Sequence, residues 1–260
     1  MSTKRRIESA SFEHPANKDA CERSFLVSYP RSGSNFFQEI LKTKYRLGAS
    51  SLYGDDVQSS NKTNLKSHAI SYAYLKDECN FILGDDEKPH KIITMYRDPR
   101  DVMISFFNFF NSYNQGEIAQ NDFLSLDWFL VLTRTPNTRT WLRSTHQNPV
   151  NIAESYQIFV DSWFVNKNIS DNTIMTTLRY DDLVAQPELV VSKALAALNL
   201  NCVPAGESNE ATSLVSTISA EDRPRGCAQG WKRDDVYMKY KVLIDQVEKR
   251  LGDEIAHLSY

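Results

Sequence analysis

Long apolar runs are missing from this chain. The longest, such as "WFLVL", are far too short to cross a bilayer. The opening "MSTKRR" is basic, but "IESASFEHPANKDACERS" follows with charges and no apolar stretch, so this stretch does not read as a secretory signal. The expectation is a soluble, cytoplasmic protein without a membrane partner. Paired cysteines are also missing. The four cysteines, at positions 21, 79, 202 and 227, form no CxxC and keep no close spacing with histidine, which argues against zinc or a disulfide framework and for free thiols. Nor is one sign of charge in excess. The formal net charge of -3 provides no global field for nucleic acid or anionic lipid, so an anion site has to be assembled locally from a few arginines and lysines. Repeats and low-complexity tracts are absent.

What is present is enough apolar sequence for one substantial core: 260 residues, 41% of them hydrophobic. Residues 1–23 are polar and read as loosely held, with a single domain over 24–260. "SFLVSY" is a short strand apolar enough to be buried in a parallel sheet. Phe36, Phe37, Ile40 and Leu41 then recur at helical spacing. Residues 48–67 are polar and poorly periodic and read mostly as loop. "AISYAYLKD" is helical in pattern, and "KIITMYR" is a second strand, after which Asp98 and Pro99 open a helix. Residues 117–165 are aromatic-rich and helical in pattern. "NTIMTTLRYDDL" adds a strand and "PELVVSKALAALNL" a helix begun by Pro187. Leu243, Val247, Leu251 and Ile255 step by four along a terminal helix. Strands alternating with helices predict an α/β fold, a P-loop-type domain whose central parallel β-sheet is flanked by helices on both faces.

The turn "PRSGSN" carries the first chemical signal. Unpaired amides at a helix start, with the helix dipole, hold an anion, and small residues let a phosphate approach them. An ordinary serine-capped turn has the same composition. A nucleoside triphosphatase needs Gly-Lys-Ser/Thr here and an acid at a later strand end. Neither is found, and "KIITMYR" ends instead in Arg97, a fixed cation with planar donors.

These segments resemble the 3′-phosphoadenosine 5′-phosphosulfate (PAPS)-dependent sulfotransferases, in particular the soluble cytosolic kind. "YPRSGSNFF" is similar to their 5′-phosphosulfate loop and "YRDPRDVMISFFNFF" to their 3′-phosphate motif, with a serine eight positions after the arginine. "RYDDLVAQPE" and "RGCAQGWK" resemble two later segments. "LKSHAI" resembles the stretch that carries the family's catalytic histidine. The resemblance implies that Arg31, Ser32, Gly33, Ser34 and Asn35 cradle the 5′-phosphosulfate. By the same token Arg97 and Ser105 hold the 3′-phosphate, with Arg225 and Gly226 closing over it. Phe36 and Tyr180 stand at adenine-side positions.

For catalysis the resemblance implies His68 as general base, with Lys66 and Arg31 holding charge on the bridging oxygen during an in-line, metal-free transfer. Arg31 stands where lysine is usual and cannot donate a proton at working pH. The acceptor is expected to be a small molecule with a hydroxyl or amine, seated between the 50s loop, the helix after Ser105 and the late serine-rich loop. In "FFNFFNSY" a helical aromatic run is more often core than pocket. A P-loop kinase or ATPase and a non-catalytic nucleotide-binding module are the alternatives. Of the family's short dimer segment "KRDDVYMKYK" keeps only the lysine, so that dimer is not implied.

Overall fold

The structure is a computed structural model that describes residues 23–53, 63–84, 89–113, 118–128, 150–167, 169–200 and 229–258. Residues 1–22 of the expected loose segment, Arg225 and Gly226, and all cysteines except Cys79 lie outside the described residues. Cys79 is buried in the core. Among the described residues no helix is long and apolar enough to cross a membrane.

Among the described residues five parallel strands form one sheet: β1 (Ser24–Ser28), β2 (Ala49–Ser51), β3 (Asn64–Ser67), β4 (Lys91–Tyr96) and β5 (Ile174–Arg179). Their spatial order is β2-β3-β1-β4-β5. All of β1 is buried, and successive side chains enter opposite cores. Phe25 and Val27 join one apolar cluster, while Leu26 joins the other with Ile93 and Met95 of β4. A strand buried on both faces favours a short apolar run, and the centres of β1 and β4 carry one.

The helices are α1 (Ser34–Lys44), α2 (Tyr72–Leu83), α3 (Pro99–Tyr113), α4 (Gln120–Phe123), α5 (Ile152–Val160), α6 (Tyr180–Ala185), α7 (Pro187–Ala197), α8 (Asp234–Arg250) and α9 (Gly252–Leu258). Helix starts follow local chemistry. Ser71 caps α2 by accepting from the Tyr74 amide, Asp98 accepts from the Arg100 amide at 2.9 Å, Asn151 and Glu154 form a capping box on α5, and Pro187 occupies the first turn of α7. A π-helical turn, Asp161–Val165, prolongs α5.

One expectation is refined and one corrected. Within residues 48–67, read mostly as loop, lie the two short strands β2 and β3, polar in sequence yet largely buried. Their polar atoms are bonded, with the Asn64 amide donating to Ser24 Oγ at 3.0 Å and the Gln38 amide donating to the Ser50 carbonyl at 2.7 Å. Satisfied hydrogen bonds let a polar strand sit inside. The terminal helix is not continuous. Leu251 separates α8 from α9, and α8 itself kinks at Tyr240. At that kink the Gln120 side chain replaces a backbone hydrogen bond, donating to the Lys239 carbonyl at 3.0 Å and accepting from the Leu243 amide at 3.1 Å. A side chain inserted into the i to i+4 ladder is an ordinary cause of such a bend.

Candidate active site

The C-terminal ends of β1, β3 and β4 deliver the three segments singled out by sequence. After β1 the chain turns through Pro30–Gly33 into α1. Arg31 has φ +70° and Gly33 φ +101°, both left-handed. Only glycine fits position 33: a Cβ there would lie 2.3 Å from Cδ2 of Tyr180. Tyr180, 5% exposed, thus forms the back wall of the turn. Ser32 and Ser34 are buried, Asn35 is exposed and Phe36 is half-buried against the second core cluster. The amides of Ser34, Asn35 and Phe36 open α1, where no intrahelical acceptor exists for them.

Arg97 follows β4 and is 6% exposed. Its Nη1 donates to the Arg31 carbonyl at 3.4 Å, and its guanidinium lies 4.4 Å from the centre of the Tyr180 ring. One helical turn on, Asp101 stands 3.7 Å from Arg97 Nη2. Burial pushes the Asp101 carboxyl up, against the pull of Arg97 and of the Trp231 amide. Nε of Arg31 donates to Ser105 Oγ at 3.3 Å, and its guanidinium covers the Phe109 ring at 4.8 Å. Arg31, Gly33, Arg97, Ser105 and Tyr180 therefore meet in one place.

The aromatic run on α3 divides by face. Phe106 and Phe107 are core residues, whereas Phe109 is half-buried and lines a cavity of about 640 Å³ that opens from Arg31, Arg97 and Ser105 between α3 and α8. His68 and Lys66 do not line it. A clasp closes one end of α3: the Trp231 amide donates to Asp101 at 2.9 Å, its indole to Asp98 at 3.2 Å, and Arg100 lies 3.7 Å over its ring.

A second group sits on the β3 side. Lys66 Nζ donates to Asn35 Oδ1 at 2.6 Å. Burial, with Lys42 and Arg31 nearby, lowers the Lys66 ammonium. The half-buried His68 places Nδ1 at 2.7 Å from the Ser28 carbonyl. A carbonyl only accepts, so Nδ1 carries the proton and Nε2 keeps its lone pair. Burial, then the charge of Lys66, brings the imidazole down to about 4, with Arg31 adding to the effect and the Ser28 contact opposing it.

Sequence reasoning missed the residues behind these two groups. Asp101 was visible as an acid one turn after Arg97. Glu78 is fully buried, accepting from Tyr53 Oη at 2.8 Å and Ser67 Oγ at 2.7 Å. Its signal was an acid on the apolar stripe of α2, beside the buried Leu75 and Cys79. Tyr53 carried no local signal.

Comparison with known proteins gives a match to the sulfotransferase domain over residues 86–222, more than half of the chain, spanning Arg97, Ser105 and Tyr180. Among solved structures, mouse sulfotransferase SULT7A1 complexed with PAP is 16% identical, with a TM-score of 0.47 over 91% of this chain and 86% of that one. A sulfotransferase from Alicyclobacillus acidocaldarius is 10% identical, with a TM-score of 0.40 over 85% and 96% of the two chains. The sulfotransferase domain from the curacin biosynthetic pathway is 15% identical, with a TM-score of 0.38 over 89% and 97%.

Proposed function

The chain belongs to the PAPS-dependent sulfotransferase family, and from that premise we propose that it moves a sulfuryl group from PAPS to a hydroxyl or amine of a small-molecule acceptor, in line, with His68 as general base. The observation that carries this reading is the convergence of two guanidinium groups, Arg31 and Arg97, on one left-handed turn at a helix start. Both guanidinium groups line the same cavity, where an anionic ligand would add its charge to that of Asp101. The residues fit a nucleotide bearing phosphates at both ends of its ribose.

Arg97 and Ser105 would hold the 3′-phosphate, and the Ser32–Asn35 turn the 5′ end, with Tyr180 and Phe36 on the adenine side. Arg225 and Gly226 belong to the same proposal from sequence. PAPS, when bound, supplies the activated sulfuryl group. Lys66, tied to Asn35, presents an ammonium to the 5′ end of this turn, and Arg31 supplies a guanidinium that stays charged at every working pH. Both would stabilise charge on the leaving oxygen without transferring a proton. His68, protonated at Nδ1 and neutral near pH 7, has Nε2 available to take the acceptor's proton.

The test pairs turnover with binding. His68→Ala should lose at least about 100-fold in turnover, within the range general-base catalysis contributes, while its affinity for the product 3′-phosphoadenosine 5′-phosphate (PAP) stays within twofold by calorimetry. Turnover near the wild-type rate would remove His68 as the base.

A further inference from the structure

Behind His68 lies a buried polar chain that the proposed reaction does not use. Glu78 is 0% exposed on α2. Its two oxygens accept from the hydroxyls of Tyr53 and Ser67, at 2.8 and 2.7 Å. Both hydroxyls donate to the carboxylate, which above about pH 7 is ionised and only accepts, so it fixes their direction and turns their lone pairs outward. Each of those lone pairs takes a backbone amide: Tyr53 Oη accepts from His68 N at 3.3 Å, and Ser67 Oγ accepts from Ala69 N at 2.9 Å. The Ala69 carbonyl in turn accepts from the Trp163 indole at 3.0 Å. The amides on both sides of the His68 α-carbon are therefore held from α2, and the Tyr53 ring lies at 28° to the imidazole.

We propose that Glu78 is a positioning residue for the His68 imidazole, acting through Tyr53 and Ser67 to hold the ring on the Ser28 carbonyl. The inference rests on the reading of His68 as the base. Apolar packing would fill the place of Glu78 at less cost, since a buried carboxylate bound by neutral hydroxyls loses its hydration without gaining a counter-ion. Among the groups facing it are Tyr53 from the segment after β2 and Asp77 on its own helix, and neither is a cation. What the carboxylate adds is direction. A glutamine has one accepting oxygen and can orient only one hydroxyl, and phenylalanine at position 53 removes the link to the His68 amide altogether.

The decisive measurement is the protonation pattern of the His68 ring by ¹⁵N nuclear magnetic resonance in the full chain, which needs neither acceptor nor turnover. In the wild type the proton is expected on Nδ1. In Tyr53→Phe and Glu78→Gln the Nε2–H form should appear as the ring leaves Ser28, and kcat should fall about 10- to 100-fold with PAP affinity within twofold. The double variant should lose little more than either single one, because both break the same chain. If both variants keep the pure Nδ1–H form, the proposal is overturned. If one does not fold, shown by loss of PAP binding, the other decides. Near-wild-type turnover in His68→Ala would instead overturn the base assignment and leave the positioning result standing.

Discussion

At the residue scale, the two histidine contacts set a pH signature. An ordinary imidazole titrates near 6.5, but burial and Lys66 bring His68 down to about 4. With the folded value below the unfolded one, the neutral ring contributes stability above about pH 6.5 that is lost as pH falls toward 4. The acid limb of kcat/KM, which reports the free enzyme, should accordingly lie near 4 rather than 6.5. An anion on Lys66 and Arg31 cancels part of that depression, so PAP should raise the His68 value in a magnetic-resonance titration; no movement would separate His68 from the anion site. Glu78 has the opposite sign. Burial raises its carboxyl to about 7, so the stability it contributes is full below about 4.5 and is lost as pH rises through 7. Glu78→Gln should therefore remove a loss of stability with rising pH, so that in urea unfolding the variant gains stability relative to the wild type from pH 5 to 8.

Arg97 belongs to this scale as well. Its replacement by alanine should weaken PAP binding by about 100-fold, in keeping with the loss of charge-assisted hydrogen bonds. Unchanged affinity by calorimetry would show that the nucleotide is gripped elsewhere.

At the element scale, the kink in α8 depends on one side chain from α4. Gln120→Ala takes the side chain from the Lys239 carbonyl and the Leu243 amide, which should lower stability by about 0.5–1.5 kcal/mol in urea unfolding. The same contact explains why the terminal helix was only partly legible. The step of four from Leu243 to Ile255 reports which face is buried, and it is silent about a distant amide that enters the backbone ladder. Strands β1 and β4 were legible because their centres, Phe25 to Val27 and Ile92 to Ile93, are short apolar runs of the kind a strand covered on both faces favours. Strands β2 and β3 were not, since Asn64, Ser24 and Gln38 satisfy one another only after the sheet has formed. Arg97 and Ser105 could be read as a pair because one short stretch of sequence, similar to the family's 3′-phosphate motif, carries both. Glu78 and Tyr53 could not, because they meet across separate elements.

At the scale of the whole molecule, a ligand that binds the folded chain alone raises its melting temperature. PAP at about 100 times its dissociation constant should stabilise by about 2.7 kcal/mol, or roughly 5–10 °C for a chain of this size. ATP with magnesium lacks a 3′-phosphate for Arg97 and Ser105 and should shift it far less. Equal shifts would contradict the site as drawn.

The wall behind Gly33 has a further consequence. Tyr180 follows the last strand of the sheet, nearly 150 positions downstream of the loop that rests against it. A fragment that stops short of β5 would own every atom of the Pro30–Gly33 turn and yet have nothing for its glycine to lean on. During refolding, recovery of nucleotide affinity should lag behind recovery of the sheet's circular dichroism, as the two distant stretches of chain must first find each other.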